Sequence, residues 1–392
     1  MPQSYAPLKA PARLLFGPGP SLVAPRVYQA MTQNVVGHLD PFFFEVADQI
    51  RTLLGYAFST KNEFNLALSG TGSSGMEAAV ANFTEPGSKF VLLTNGYFGD
   101  RIGEMARRHG AEVARLVKNW GEPFDPQEVR DFIRRERPRI VAMVQAETST
   151  GMYNQAKPVC EAAREVDALT IVDAVTSLGG MPVLVDENGI DIAYSCTQKG
   201  LGCPPGLAPI TVSPRALERL KGRAKPCESW YLDLELLETY YFGHKYHHTA
   251  SATLFYALRE GLAMVAEEGR EARWERHRRN HLAFVAGIEA MGLEMHVPEG
   301  HRLWTLNTPR LPAGIDDGKL RQYLLQERGI EIAGGFGPLA GKVLRIGLMG
   351  YGSTAENVLL VLEALEEALA RQGYKAARSA RQAAEETLAT KR

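Results

Sequence analysis

From about residue 60 onwards, short apolar runs alternate with amphipathic stretches. "FNLAL" (64–68) precedes a Gly/Ser loop and the helix-like "MEAAVANF". "KFVLL" (89–93) precedes "DRIGEMARRHG", a helical period closed by a glycine. "RIVAMVQ" (139–145), "LTIVD" (169–173), "IDIAYS" (190–195) and "LAPITVS" (207–213) follow. These runs are apolar throughout and do not alternate with polar positions, as in strands covered on both faces. Strand–helix alternation of this kind predicts an α/β fold, with a mostly parallel sheet and helices on both faces.

The pattern changes after residue 250. One long charged helical stretch covers about 253–291. Shorter runs ("LWTLNTP", "IEIAGG", "VLRIGLMG") and the helix "TAENVLLVLEALEEALARQ" come next and predict a second, smaller α/β domain. The first twenty residues are rich in Pro and Gly and read as an extended arm. The expected organisation is an arm (1–20), a large domain (21–255), a linking helix with a small C-terminal domain (256–378) and a tail (379–392). The tail is Ala-rich and charged with little apolar face, so a solvated helix is expected there.

Composition narrows the function classes. A chain of 392 residues with 45 % apolar and 23 % charged residues is ordinary for a globular protein with a large core. A net charge of −1 argues against nucleic-acid and membrane-surface partners. The four cysteines (Cys160, Cys196, Cys203, Cys227) show no CxxC spacing, which points away from a disulfide scaffold or a metal site. With no apolar signal-like core near the start, a cytoplasmic location is expected.

One lysine stands out. Lys199 lies between the runs "IDIAYS" and "GLAPITVS", where an amine at a buried strand end is costly unless it has a task. Ligands of open α/β sheets bind at the carboxyl ends of strands. Asp173 ends "LTIVD", and the loop "SGTGSSG" (69–75) opens a helix whose amides suit a phosphate. The same loop matches GxGxxG, but Asn95 occupies the place where a dinucleotide site needs a carboxylate, so an NAD-binding Rossmann reading is disfavoured. Each feature alone has a plain explanation: a solvated lysine, a helix-capping aspartate, a turn. Together, a phosphate loop, a carboxylate and a strand-end lysine suggest pyridoxal phosphate. The amine condenses with the cofactor aldehyde, and the carboxylate keeps the pyridine nitrogen protonated. An aromatic should cover the ring, and "TNGYFGD" offers Tyr97 and Phe98.

The motifs "SGTGSSGMEAA", "NGYFGDR", "AETSTG", "VDAVTSLGG", "SCTQKGLGCPPG", "KYHHTAS" and "VLRIGLMG" resemble those of class V, fold-type I PLP-dependent aminotransferases. The likeness is strongest to the alanine–glyoxylate/serine–glyoxylate (serine–pyruvate) group. It implies a seven-stranded-type large domain and a homodimer with shared active sites. Lys199 would form the Schiff base, and Asp173 would pair with the pyridine nitrogen. Thr71, Gly72, Ser73 and Gln198 would hold the phosphate, with Phe98 stacked on the ring. Thr148 would lie near the ring hydroxyl or the substrate. Tyr246 and Thr249 would reach the neighbouring subunit's phosphate, and Arg345 would clamp the substrate carboxylate. Two positions depart from common family choices: Phe98 stands for Trp and Ser73 for His. "VGHLDPFF" (36–43), with His38, would border the side-chain pocket. His247 and His248 would point to opposite faces of a strand and pack at an interface. The implied reaction is ping-pong transamination from alanine or serine to glyoxylate or pyruvate. The alternatives are a ureidoglycine–glyoxylate aminotransferase and, further off, a cysteine desulfurase-like enzyme. The latter needs a mobile nucleophilic cysteine near the small domain, and none follows residue 227.

Overall fold

Six of the apolar runs are strands of one seven-stranded sheet in the computed structural model, which describes residues 5–390. In chain order the strands are β1 (Phe64–Ser69), β2 (Lys89–Thr94), β3 (Glu112–Val117), β4 (Ile140–Val144), β5 (Leu169–Asp173), β6 (Ile192–Tyr194) and β7 (Leu207–Val212). Their spatial order is β1-β7-β6-β5-β4-β2-β3. β7 runs antiparallel to both neighbours, and the remaining pairs are parallel. The seventh strand, β3, has no counterpart among the apolar runs. It is an edge strand paired only with β2, and its sequence "EVARLV" stays half-exposed or exposed along its length. An edge strand needs no continuous apolar run, so the pattern passes over it.

β4 and β5 are buried at every position. Each Val, Leu or Ile fully buried there contributes roughly 1.5–3 kcal/mol. Asp173, buried at the end of β5, works against that background and needs partners of its own. The parallel strands also bring their carboxyl ends to one edge, where the loops after β1, β2, β4, β5 and β6 meet.

Two helices give that edge its character. α1 (Gly72–Phe83) follows β1, and α2 (Tyr97–Arg108) follows β2. The long stretch expected as one helix at 253–291 is two: α3 (Ala252–Glu268) and α4 (Arg270–Ala290). Gly269 separates them at φ 82°, a conformation open to glycine and costly to other residues. The break lets each helix serve its own core. Phe255, Leu258 and Val265 of α3 join the large apolar cluster, whereas Phe284 and Ile288 of α4 join a second one.

That second cluster belongs to the C-terminal region. It holds a three-stranded antiparallel sheet in which Leu344–Gly347 is central between Leu306–Asn307 and Ala333–Gly334. Helix α5 (Ala355–Ala370) covers it with Val358, Leu362 and Leu365. The N-terminal arm joins it too: Leu14–Leu15 pairs in parallel with Ile330–Glu331, and Phe16 is buried in the cluster. Residues 1–4 of the arm lie outside the described residues.

The tail differs from the solvated helix expected for 379–392. Residues Ala380–Ala389 form α6, which packs against α4 and α5. Ala380, Ala383 and Ala384 are buried, and Ser379 caps the helix by accepting from Gln382 N. A face made of alanines carries little apolar signal, yet small side chains let two helix backbones approach closely. Residues 391 and 392 lie outside the described residues.

Candidate active site

The loops at the carboxyl edge enclose a cavity of about 190 Å³. Its phosphate-like wall is the start of α1. Thr71 is the N-cap but makes no side-chain capping bond, so the first-turn amides have no side-chain acceptor. Gly72 fits because the helix start lies close to β5 and β6. An added Cβ would stand 3.1 Å from Cys196 Cβ and 3.3 Å from Val175 Cγ2. Ser73 is exposed beside it and accepts a bond from Arg101 Nη1 (3.1 Å).

The floor is Asp173 and Lys199. Asp173 Oδ1 accepts from Val175 N and Oδ2 from Tyr194 OH, both at 2.8 Å. Burial pushes its pKa up to about 7, while these two donors pull the other way. Lys199 is buried, and burial lowers its pKa from the usual lysine value. Its Nζ donates to the Pro18 carbonyl. Gly19 lies over the lysine stem, where an added Cβ would sit 2.6 Å from Cδ and 2.7 Å from Cε. The N-terminal segment thus roofs the amine, and only a residue without a side chain fits there.

The remaining wall residues come from three elements. Phe98, on α2, faces the cavity and packs edge-on against Tyr97 (5.5 Å between centroids). Thr148 is buried, and its Oγ1 lies 2.5 Å from Thr176 Oγ1. Gln198 has its Oε1 buried with no hydrogen-bond partner, so the side chain keeps capacity for a ligand. Arg345, from the central strand of the small sheet, is 9 % exposed. Its guanidinium donates to two backbone carbonyls, Gly334 O (2.9 Å) and Thr148 O (3.4 Å), and stands 4.4 Å over the Phe336 ring. Neither bond goes to a carboxylate. Burial brings its pKa down to about 10, which still leaves it charged at neutral pH.

Three residues of the site escaped the sequence reading. Tyr194 lies within the apolar run "IDIAYS" and bonds Asp173. Glu147 lies inside the quoted "AETSTG" and is completely buried. Arg101 lies in "NGYFGDR", and its guanidinium stands 5.1 Å over the Phe98 ring.

Tyr246, Thr249 and His38 are not brought to the cavity within one chain. Tyr246 is 64 % exposed and Thr249 is exposed, while the His38 ring lies 5.3 Å from that of Tyr246. His247 and His248 are not on a strand. Their segment is irregular, so the two rings are free to meet edge to face, with Nδ1 atoms 2.9 Å apart. His247 stacks on Trp230 at 4.2 Å.

Residues 14–361 match the family model for class-V aminotransferases. The chain belongs to that family. Class-V aminotransferases are PLP-dependent enzymes, and this protein is a PLP-dependent aminotransferase. It is 40 % identical over 369 residues to the alanine–glyoxylate aminotransferase of Drosophila melanogaster, covering 93 % of this chain and 94 % of the fly protein. Among solved structures it is similar to an alanine–glyoxylate aminotransferase from Nostoc sp. (47 % identity, TM-score 0.92, 94 % and 98 % of the two chains). It is also similar to the ureidoglycine–glyoxylate aminotransferase of Bacillus subtilis (42 % identity, TM-score 0.95, 98 % and 100 %).

The other readings fare poorly against the geometry. The glycine loop follows β1, which lies at one end of the sheet beside antiparallel β7, away from the switch point of a dinucleotide-binding fold. All four cysteines are buried, and burial raises the Cys160, Cys196 and Cys203 thiols to about 12. A desulfurase needs an accessible thiolate, and among the described residues there is none.

Proposed function

We propose that this aminotransferase moves the amino group of alanine or serine to glyoxylate or pyruvate, with pyridoxal phosphate held in the cavity around Lys199. The observation that carries the reading is one cavity faced by a buried lysine, a buried carboxylate and a helix start without a side-chain cap. The donor set fits the cofactor: a helix N-terminus with Ser73 and Gln198 for the phosphate, Asp173 for the pyridinium, Phe98 for the ring face. When bound, pyridoxal phosphate supplies an aldehyde that carries the amino group between substrates and a ring that accepts electrons from the α-carbon. Lys199 Nζ, which burial disposes toward its neutral form, would be the amine that holds the cofactor and the base that moves the α-proton. Asp173, held by Tyr194 and Val175, would pair with the ring nitrogen, and a pyridinium there would favour its anion. Among the described residues Arg345 makes no ion pair, although Glu147 acts on it from a distance, so its planar fork would be open to the substrate's carboxylate. Thr148, whose carbonyl accepts from Arg345, would lie near the ring hydroxyl or the substrate.

The functional unit we infer is a homodimer. Val35, Leu39, Phe42, Trp230 and Tyr246 are exposed, and a groove of about 580 Å³ beside them is lined by Val36, Phe42 and Tyr256. A second copy on this face would cover them and carry Tyr246 and Thr249 to its phosphate site, with His38 near the substrate side chain. The four free thiols fit a cytoplasmic setting.

Ureidoglycine remains as a second donor, favoured by the likeness to the Bacillus subtilis enzyme. A panel of alanine, serine and ureidoglycine against glyoxylate and pyruvate decides. Higher kcat/KM with alanine or serine is the expected result; preference for ureidoglycine replaces the first reading with the second.

A further inference from the structure

We propose that Glu147 is a positioning residue, which sets Phe98 over the cofactor ring by capping α2 from outside the helix. The proposal rests on the pyridoxal phosphate site described above. The N-cap of α2 is Gly96, which brings no side chain to the three amides that follow. All three are nevertheless satisfied, and every acceptor comes from the segment after β4. Tyr97 N donates to Ser149 Oγ (3.0 Å), Phe98 N to Glu147 Oε1 (3.4 Å) and Gly99 N to Glu147 Oε2 (3.2 Å). Ser149 in turn donates to Glu147 Oε1 through its N (3.0 Å) and its Oγ (2.5 Å).

Four donors thus converge on one carboxylate. That arrangement suits the anion, which can only accept. Burial pushes the carboxyl pKa up, while the donors and the positive end of the helix act in the opposite direction. Gly96 is matched to this geometry by space and not by backbone angle. Its φ of −178° is open to any residue, but an added Cβ would collide with Glu147 Cγ and Cδ. The glycine leaves room for an external cap that a serine or aspartate N-cap would displace.

The capped turn carries the cofactor-facing ring. Phe98 is the second residue of α2, and Arg101, one turn on, lies over its ring and bonds Ser73 at the start of α1. Glu147 therefore fixes the backbone of Phe98, and Arg101 flanks its ring. The same loop carries Thr148, whose carbonyl accepts from Arg345. One short segment ties ring cover and carboxylate clamp together.

The test uses the full chain, with and without cofactor. In Glu147→Gln an amide NH2 must face backbone N–H groups, so hydrogen exchange at Tyr97, Phe98 and Gly99 should speed up by about 10-fold. The pyridoxal phosphate Kd should rise about as much as in Phe98→Ala, on the order of 10-fold. The double variant should add little, and the visible circular dichroism of bound cofactor should change. Ser149→Ala, a milder change, should shift exchange and Kd in the same direction. Unchanged exchange at the three amides in both variants would overturn the cap. Faster exchange with an unaltered Kd, while Phe98→Ala weakens binding, would overturn the positioning role. Unaltered affinity in Phe98→Ala would instead remove the ring-cover reading itself, and with it the proposal.

Discussion

Lys199 and Arg345 are both buried cations, and both donate to backbone carbonyls, yet they suit opposite tasks. Lys199 comes from the turn after β6 in the large domain; Arg345 comes from the central strand of the small sheet. Burial is the leading influence on each and lowers both pKa values. For the lysine, that shift moves an amine toward the neutral form a proton carrier needs. For the arginine, a fall to about 10 leaves the charge intact at neutral pH. On the proposed reading, the same desolvation would make a base of one residue and leave the other a charged anion receptor. The small domain can therefore hold substrate by charge while the large domain does the proton transfer.

The comparison is broken most severely at the lysine. Lys199→Ala should lower transamination by about 10^2- to 10^4-fold or more, the range lost with a positioned acid–base group. Borohydride treatment of the wild-type enzyme should fix the cofactor to Lys199, as read by peptide mass. A label on another lysine would move the base elsewhere. Asp173→Asn keeps the shape of the floor and removes its charge. The rate of α-proton removal should fall by about 10^2-fold, the equivalent of roughly 3 kcal/mol, with modest loss of cofactor. Near-normal single-turnover rates would show that Asp173 does not govern the ring nitrogen.

A substitution that makes the two cations alike sharpens the contrast. Arg345→Lys keeps a charge and loses the fork, so kcat/KM for donor and acceptor should both drop by about 10- to 100-fold. The cofactor absorbance should stay as it was. Loss of cofactor with carboxylate affinity retained would mean that the clamp lies elsewhere.

These residues differ in how openly the sequence displays them. Lys199 and Asp173 were legible because each interrupts or ends a run of apolar positions, where a charge has no structural excuse. Arg345 was legible for the same reason, in "KVLRIGLM". Tyr194 has the opposite property: it prolongs an apolar run, and only the fold shows its hydroxyl on Asp173. Glu147 looks like any loop glutamate, since the amides it accepts from lie about fifty positions away in the chain. β3 and α6 were faint for a packing reason. One is an edge strand and the other buries alanines, so neither shows a strong apolar face. The break at Gly269 was visible as a glycine, but a glycine within a charged helical period does not by itself announce that two cores divide the stretch.

The smallest effect is thermodynamic, and it separates the two cations without reference to catalysis. In the cofactor-free protein the folded-state pKa of Lys199 lies below that of the unfolded chain. Between the two values the unfolded chain binds a proton that the folded chain does not, so this lysine makes stability rise with pH. Below the folded-state value the buried ammonium is present and its full cost is felt. Lys199→Met removes that cost and should raise Tm at neutral pH by about 1 °C for each kcal/mol relieved, the scale set by the unfolding entropy of a chain of 392 residues. The gain should shrink as pH climbs from the folded-state value through about 10.4, the ordinary lysine value, above which the wild-type amine is neutral in both states. Arg345 carries its charge in both states up to about 10. Arg345→Met should therefore shift Tm by an amount that stays flat from about pH 6 to 9. Thermal melts of both variants across that range check the pair. Parallel curves would mean that Lys199 keeps its proton as firmly as Arg345 does, and that the division between base and clamp arises only when the cofactor binds.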